Sequence, residues 1–184
     1  MEQKKGFRLD WATLRLAVIL FAFSAVVAVL LGLVNMITKE PIEASAREKQ
    51  ARAMETVLAA ENYEKLENTN AEKIELVNEI YRAGDKGWVV MVSPSGFGGE
   101  IQMAVGVDRD GVITGLSIID MSETSGLGAN AKRESFRIQY VGKSGSVALT
   151  KQGGEIDALT GATVTSTAVT KGVNAALLAV NEVR

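Results

Sequence analysis

From Leu16 to Val34 the chain runs nineteen residues without a charge. At the helical rise this stretch spans about 28 Å, close to the hydrocarbon thickness of a bilayer. Trp11 lies at one edge, where interfacial aromatic residues sit. A cleaved signal peptide is the competing reading. Against it, the apolar run is long, and the first A-x-A pattern, Ala44-Ser45-Ala46, lies well beyond its end. The pattern predicts one membrane-spanning helix, on which Ser24, Gly32 and Asn35 offer helix-packing positions. Thr38-Lys39-Glu40-Pro41 predicts a break and a new helix start, with Pro41 in its first turn. Over 41–60, Ala46, Ala53, Met54, Val57 and Leu58 form a candidate buried face. Residues 61–73 are polar and connecting.

From Ile74 the period shortens to that of strands. Ile74–Arg82, Gly87–Val92, Gly99–Val107 and Val112–Asp120 are separated by turns at 83–86, 93–98 and 108–111. The last turn ends in Asp110-Gly111, a hairpin dipeptide. It has no Glu at loop position twelve and is not an EF-hand. Such short connections imply antiparallel neighbours. Beyond them the pattern predicts a loop over 122–130, a short helix near Ala131–Tyr140 and a weak strand over Ser146–Leu149. A final helix follows, with Val169, Val173, Ala176, Leu177 and Val180 on one face. Trp88, on a strand, reads as a core residue before it reads as a ligand-stacking one.

The chain has neither cysteine nor histidine. That excludes Cys-ligated iron–sulfur clusters, His or Cys zinc sites and His-activated nucleophiles, and we expect no metal site. A formal net charge of -2 gives no argument for nucleic-acid binding. Around the apolar run the basic residues balance: Lys4, Lys5, Arg8 and Arg15 precede it, while Lys39, Arg47, Lys49 and Arg52 follow. Because long domains cross membranes largely regardless of charge, the expected orientation is a cytoplasmic N-terminus with the domain outside.

The candidate chemistry lies in Asp157-Ala158-Leu159-Thr160-Gly161-Ala162-Thr163. Thr163 falls at or near the start of the last helix, where unpaired N–H groups and the dipole favour an anion. By itself a Thr before an apolar run reads as a helix cap. Gly126-x-Gly128-x-x-Ala131 matches the dinucleotide fingerprint, but it follows hairpins and not a βαβ unit, so it is not read as a nicotinamide site.

The pattern Asp-x-x-Thr-Gly-Ala-Thr resembles the flavinylation signature of the FMN-binding domain family. Five such fixed positions recur by chance on the order of once per million start sites. The resemblance implies FMN held covalently by a phosphoester on Thr163, installed by an FMN transferase. Thr160, Gly161 and Ala162 then flank the cofactor, and Asp157 serves recognition by the transferase or turn geometry. Glu123-Thr124-Ser125-Gly126-Leu127-Gly128 resembles the family's Glu-Thr-Pro-Gly-Leu-Gly loop, which adds Glu123, Thr124, Gly126, Leu127 and Gly128 as cofactor-binding residues. Ser125 stands where the family has Pro, and Met121-Ser122 where a His commonly precedes the Glu. Gly96–Ile101 with Val105–Asp108, and Val34–Thr38 with Pro41-Ile42, are similar to further family segments.

Within that family the chain resembles the G-type components of Rnf complexes, which are ion-translocating ferredoxin:NAD oxidoreductases, and the related C-type components of sodium-pumping NADH:quinone reductases. The expectation is an α+β fold: a single N-terminal transmembrane helix, then an FMN-binding domain with an antiparallel sheet and flanking helices. Residues 1–38 would be tail and anchor, 39–73 a spacer helix and linker, and 74–184 the FMN-binding domain. The implied role is a membrane-bound electron carrier, an enzyme only as part of its complex. Its partners would be the other membrane subunits, the bilayer and, during maturation, the FMN transferase. A noncatalytic assembly subunit and a stand-alone extracytoplasmic flavoprotein are the competing readings.

Overall fold

The computed structural model of the protein describes residues 11–67 and 73–184. The basic tail over 1–10 and part of the polar connection before Lys73 lie outside the described residues. Helix α1 covers Trp11–Val57. The chain divides into two compact units, Met1–Arg47 and Glu48–Arg184.

In the first unit the apolar stretch is helical, long and apolar enough to cross a membrane, with its side chains unburied. Leu16, Phe21, Phe23, Leu31 and Val34 are all exposed, as expected of a surface whose solvent is lipid. The break expected at 38–41 does not occur: Pro41 lies inside the helix. Proline there removes one backbone donor, leaving the Ile37 carbonyl without its usual partner. The exposed Lys39, Glu43 and Arg47 ladder at i,i+4 spacing supports the helix on either side of it.

The second unit is built on a five-stranded antiparallel meander in the order β1 to β5. The strands are β1 (Glu64–Leu66), β2 (Val77–Ala83), β3 (Gly87–Val92), β4 (Ile101–Asp108) and β5 (Ile113–Met121). β1 was not expected. Three residues are too short to display a period, and β1 is recognisable only through its pairing with β2. Strand β3 is buried along its whole length, which explains why it reads as an unbroken apolar run.

One face of the sheet packs on helix α3, Thr163–Val183. Ile101, Met103, Val105 and Val107 from β4 meet Val169, Val173, Ala176 and Val180 there. Trp88 belongs to this core and is 8% exposed. The other face takes Ala53 and Val57 from the end of α1, against Val89, Met91 and Ala104. Of the face expected over 41–60, Ala53 and Val57 are buried, and Met54 and Leu58 pack partly against the same cluster. Ala46 is exposed.

Gln50, one turn before Ala53, donates to Glu79 (2.8 Å) and Tyr81 (3.1 Å), and Lys65 closes on Glu79 from β1. Burial raises the Glu79 pKa, but hydrogen bonds from Lys65, Tyr81 and Gln50 outweigh it, so the carboxyl lies below its ordinary value.

The helix expected near Ala131–Tyr140 is a chain of short turns: a 3₁₀ turn Gly128–Lys132, helix α2 (Glu134–Arg137) and a 3₁₀ turn Ile138–Tyr140. Arg133 is extended (φ -68°, ψ 139°) and interrupts it. Phe136 and Tyr140 are buried in edge-to-face contact, and the Tyr140 hydroxyl meets Thr170 of α3 at 2.9 Å. Burial pushes this phenol up to about 12 despite that bond. The weak strand expected over Ser146–Leu149 is reduced to one isolated bridge, Leu149 with Ile156, and a second bridge just before it joins Val112 to Ser144.

Candidate functional site

Helix α3 begins at Thr163, and its N-cap is Ala162, which is in a non-helical conformation (φ -136°, ψ 48°). Thr163 is therefore the first helical residue and caps nothing. The hydroxyls that follow it are committed. Thr165 donates to the Glu123 carboxylate at 2.9 Å. Ser166 donates to the Ala162 carbonyl and accepts from the Leu159 N–H, both at 2.9 Å. Thr167 donates back to the Thr163 carbonyl at 2.8 Å. Thr170 is bonded to the Ser166 carbonyl and to Tyr140. Thr163 is exposed, and its hydroxyl has no partner among the described residues. Helix geometry leaves the N–H groups of the first turn without intrahelical acceptors, so this end presents donors and a positive dipole.

Gly161 makes the turn into the helix in the left-handed region (φ 73°). A Cβ there would press on Leu127 at 3.0 Å. Ser166 fixes the same turn from inside the helix. Together Gly161 and Ser166 aim the Thr163 side chain at a cleft.

That cleft encloses about 410 Å³, within the range of small-molecule sites. It is lined by Glu123, Thr124, Leu127 and Gly128 from the loop after β5, and by Gly161 to Thr165 from the start of α3. Phe97, from the glycine-rich turn between β3 and β4, completes it. Phe97, Leu127 and Val164 are 75%, 44% and 54% exposed, unusual for large apolar side chains gathered at one mouth. Glu123 braces the arrangement. One carboxylate oxygen accepts from the Phe97 N–H (2.7 Å) and the Gly98 N–H (3.2 Å), while the other accepts from Thr165.

Among the residues expected from sequence, Glu123, Thr124, Leu127, Gly128, Gly161, Ala162 and Thr163 thus converge on one cleft. Gly126 does not line it; it turns the loop with φ 78°. Thr160 is exposed outside the lining. Asp157 is exposed as well and is held through its backbone, its N–H donating to Gln139 at 2.7 Å. Sequence reasoning missed Phe97, Val164 and Thr165 as wall residues. The one local signal for Phe97 is an aromatic residue set among glycines, Gly96-Phe97-Gly98-Gly99.

Comparison with known proteins supplies context for this geometry. Residues 96–178 match the FMN-binding domain family, and residues 8–57 match the RnfG N-terminal region. The G component of the Na(+)-translocating ferredoxin:NAD(+) oxidoreductase complex of Acetobacterium woodii is 39% identical, over 95% of each chain. The G component of the ion-translocating oxidoreductase complex of Methanosarcina acetivorans is 33% identical over 89% of this chain and 92% of its own. A crystal structure of the C component of the Na(+)-translocating NADH-quinone reductase from Parabacteroides distasonis aligns over 58% of this chain and 60% of that one, with 23% identity and a TM-score of 0.46.

Proposed function

Because the chain belongs to the family of G-type components of ion-translocating ferredoxin:NAD(+) oxidoreductase complexes, we propose that it carries FMN as a phosphoester on Thr163 and relays electrons beside the membrane. The observation that carries the assignment is the unpartnered Thr163 hydroxyl facing the cleft at the first position of α3, while the hydroxyls that follow it on the helix are already bonded. FMN, when bound, supplies one- and two-electron transfer.

The chain's own residues fit that group. Thr163 offers the oxygen, and the first-turn N–H groups of α3 suit a phosphoryl group. Gly161 turns the chain into the helix in the left-handed region, and Gly128 lets Glu123 and Thr165 close up behind the cleft wall. Phe97, Leu127 and Val164 give apolar surface for a flat aromatic ring, and the unpaired Thr124 hydroxyl suits its polar edge. Forming the ester creates a bond from Thr163 Oγ1 to phosphorus. It breaks the bond from that phosphorus to the leaving group of an activated flavin phosphoanhydride, and the hydroxyl proton passes to a base of the transferase. Asp157, exposed outside the cleft, suits recognition by that enzyme.

The chain works as one component among several, as the relatives of its family are described. Purified in mild detergent from its native membrane, it is expected to bring other membrane subunits with it. Its intact mass should exceed the sequence mass by one flavin mononucleotidyl group. An unmodified mass in native material would leave an assembly subunit without a tethered flavin.

For orientation, we place the N-terminus in the cytoplasm and the flavin domain outside. The absence of cysteine makes this simple to test with single substitutions. A membrane-impermeant maleimide applied to intact cells should label the Lys151→Cys variant and spare Glu2→Cys. The reverse pattern would invert the topology.

A further inference from the structure

Three segments far apart in sequence meet at one carboxylate. The turn at 96–99, the loop at 122–128 and the first turn of α3 each touch Glu123, through Phe97 and Gly98, through its own backbone, and through Thr165. The surroundings are cleared for it by glycine. A Cβ on Gly96 would collide with one Glu123 oxygen, and a Cβ on Gly128 with the other and with Thr165. A Cβ on Gly98 would strike the Ser122 carbonyl beside it. The two N–H groups and the hydroxyl all donate to Glu123, which occupies both of its oxygens. None of the carboxylate's bonding is directed at a ligand.

Resting on the flavin-tether reading above, we infer that Glu123 is a positioning residue: it clamps the Phe97 turn to the start of α3, so that the cleft wall and the acceptor hydroxyl are held ready before any flavin arrives. Bonds from two backbone N–H groups and a hydroxyl to a carboxylate are stronger than neutral ones. They replace the rigidity that the glycine-rich turn lacks. Without the clamp, Phe97 leaves the cleft mouth and Thr165 becomes a free hydroxyl two residues from the acceptor.

The test compares full-length chains in detergent, produced without the transferase for hydrogen exchange and with it for flavin content. Glu123→Ala should raise amide exchange of a peptide spanning 95–99 by about tenfold, the effect of losing on the order of one charge-assisted hydrogen bond, and should lower flavin per chain. Glu123→Gln should recover most of both, with exchange left about threefold above wild type, because its oxygen still accepts the two N–H groups in neutral bonds about half as strong and its amide nitrogen can donate to Thr165. Thr165→Val, which removes only the bond to α3, should give an intermediate rise and guards against a general failure of Glu123→Ala to fold. Thr163→Val should lack flavin yet keep wild-type exchange over 95–99, so that the acceptor assignment and the clamp fail separately. Unchanged exchange in Glu123→Ala would overturn the clamp. So would a Glu123→Gln variant as impaired as the alanine one, which would point to the charge and not to the bracing.

Discussion

Replacing Thr163 by Val should abolish covalent flavin while leaving the fold intact. The substitution keeps the branched shape and removes only the hydroxyl. Because Thr163 is exposed and caps nothing, its effect on stability should stay within about 0.5 kcal/mol. Thr163→Ser retains an oxygen at the same place and should still be modified. Thr160 is the other exposed, unpaired hydroxyl of the motif, but it lies outside the cleft lining, and the adduct on the wild-type chain should map to Thr163 and not to Thr160. Fluorescence of the denatured chain in a gel gives the first reading. Trypsin cleavage after Lys151 and Lys171 then isolates Gln152–Lys171, whose fragment spectrum locates the adduct. Flavin fluorescence that survives in Thr163→Val would end the assignment.

The second large effect concerns stability, on the opposite face of the sheet. Gly106 of β4 pairs with Gly115 of β5, and the end of α1 sits directly on this pair. A Cβ at Gly115 would come within 2.7 Å of the Val57 Cα and 2.9 Å of its carbonyl oxygen. The contact is with backbone, so no rotamer change relieves it. The neighbouring Thr114 hydroxyl donates to the same Val57 carbonyl at 2.7 Å, satisfying one of the groups that a helix end leaves open.

Gly115→Val should therefore lift residues 53–58 from the sheet and expose the apolar cluster of Val57, Val89, Met91 and Ala104. Overpacking of this kind costs about 3 kcal/mol, or roughly 6–12 °C in the thermal midpoint of a chain this size. Thr114→Val, which removes one hydrogen bond, should cost only about 1 kcal/mol. Thermal unfolding of the two variants in detergent makes the comparison. Equal midpoints for wild type and Gly115→Val would mean that the helix end is not seated there.

The strands were legible because their signal is local. Alternating or unbroken apolar runs and Gly-containing turns placed four of the five strands to within three residues at either end. The elements that were misjudged are those decided by partners. β1 exists only because β2 lies beside it. Ser146–Leu149 has strand-like residues, but it finds a single bridge, Leu149 with Ile156, and no ladder. Pro41 looked like a boundary by composition, yet one missing donor did not end a helix supported on both sides.

By itself the sequence determined the apolar helix, the antiparallel meander, the exclusion of thiol and imidazole chemistry, and the likeness that picks out Thr163. Each of these is written in neighbouring residues, through period, turn chemistry or a contiguous motif. Only the tertiary structure decided which hydroxyls are free and which are bound, that Phe97 closes the cleft, and that Glu123 holds it together. Those facts depend on hydrogen bonds spanning 26, 25 and 42 residues of chain, and a hydrogen-bonding group's availability is set by whatever the fold brings to it.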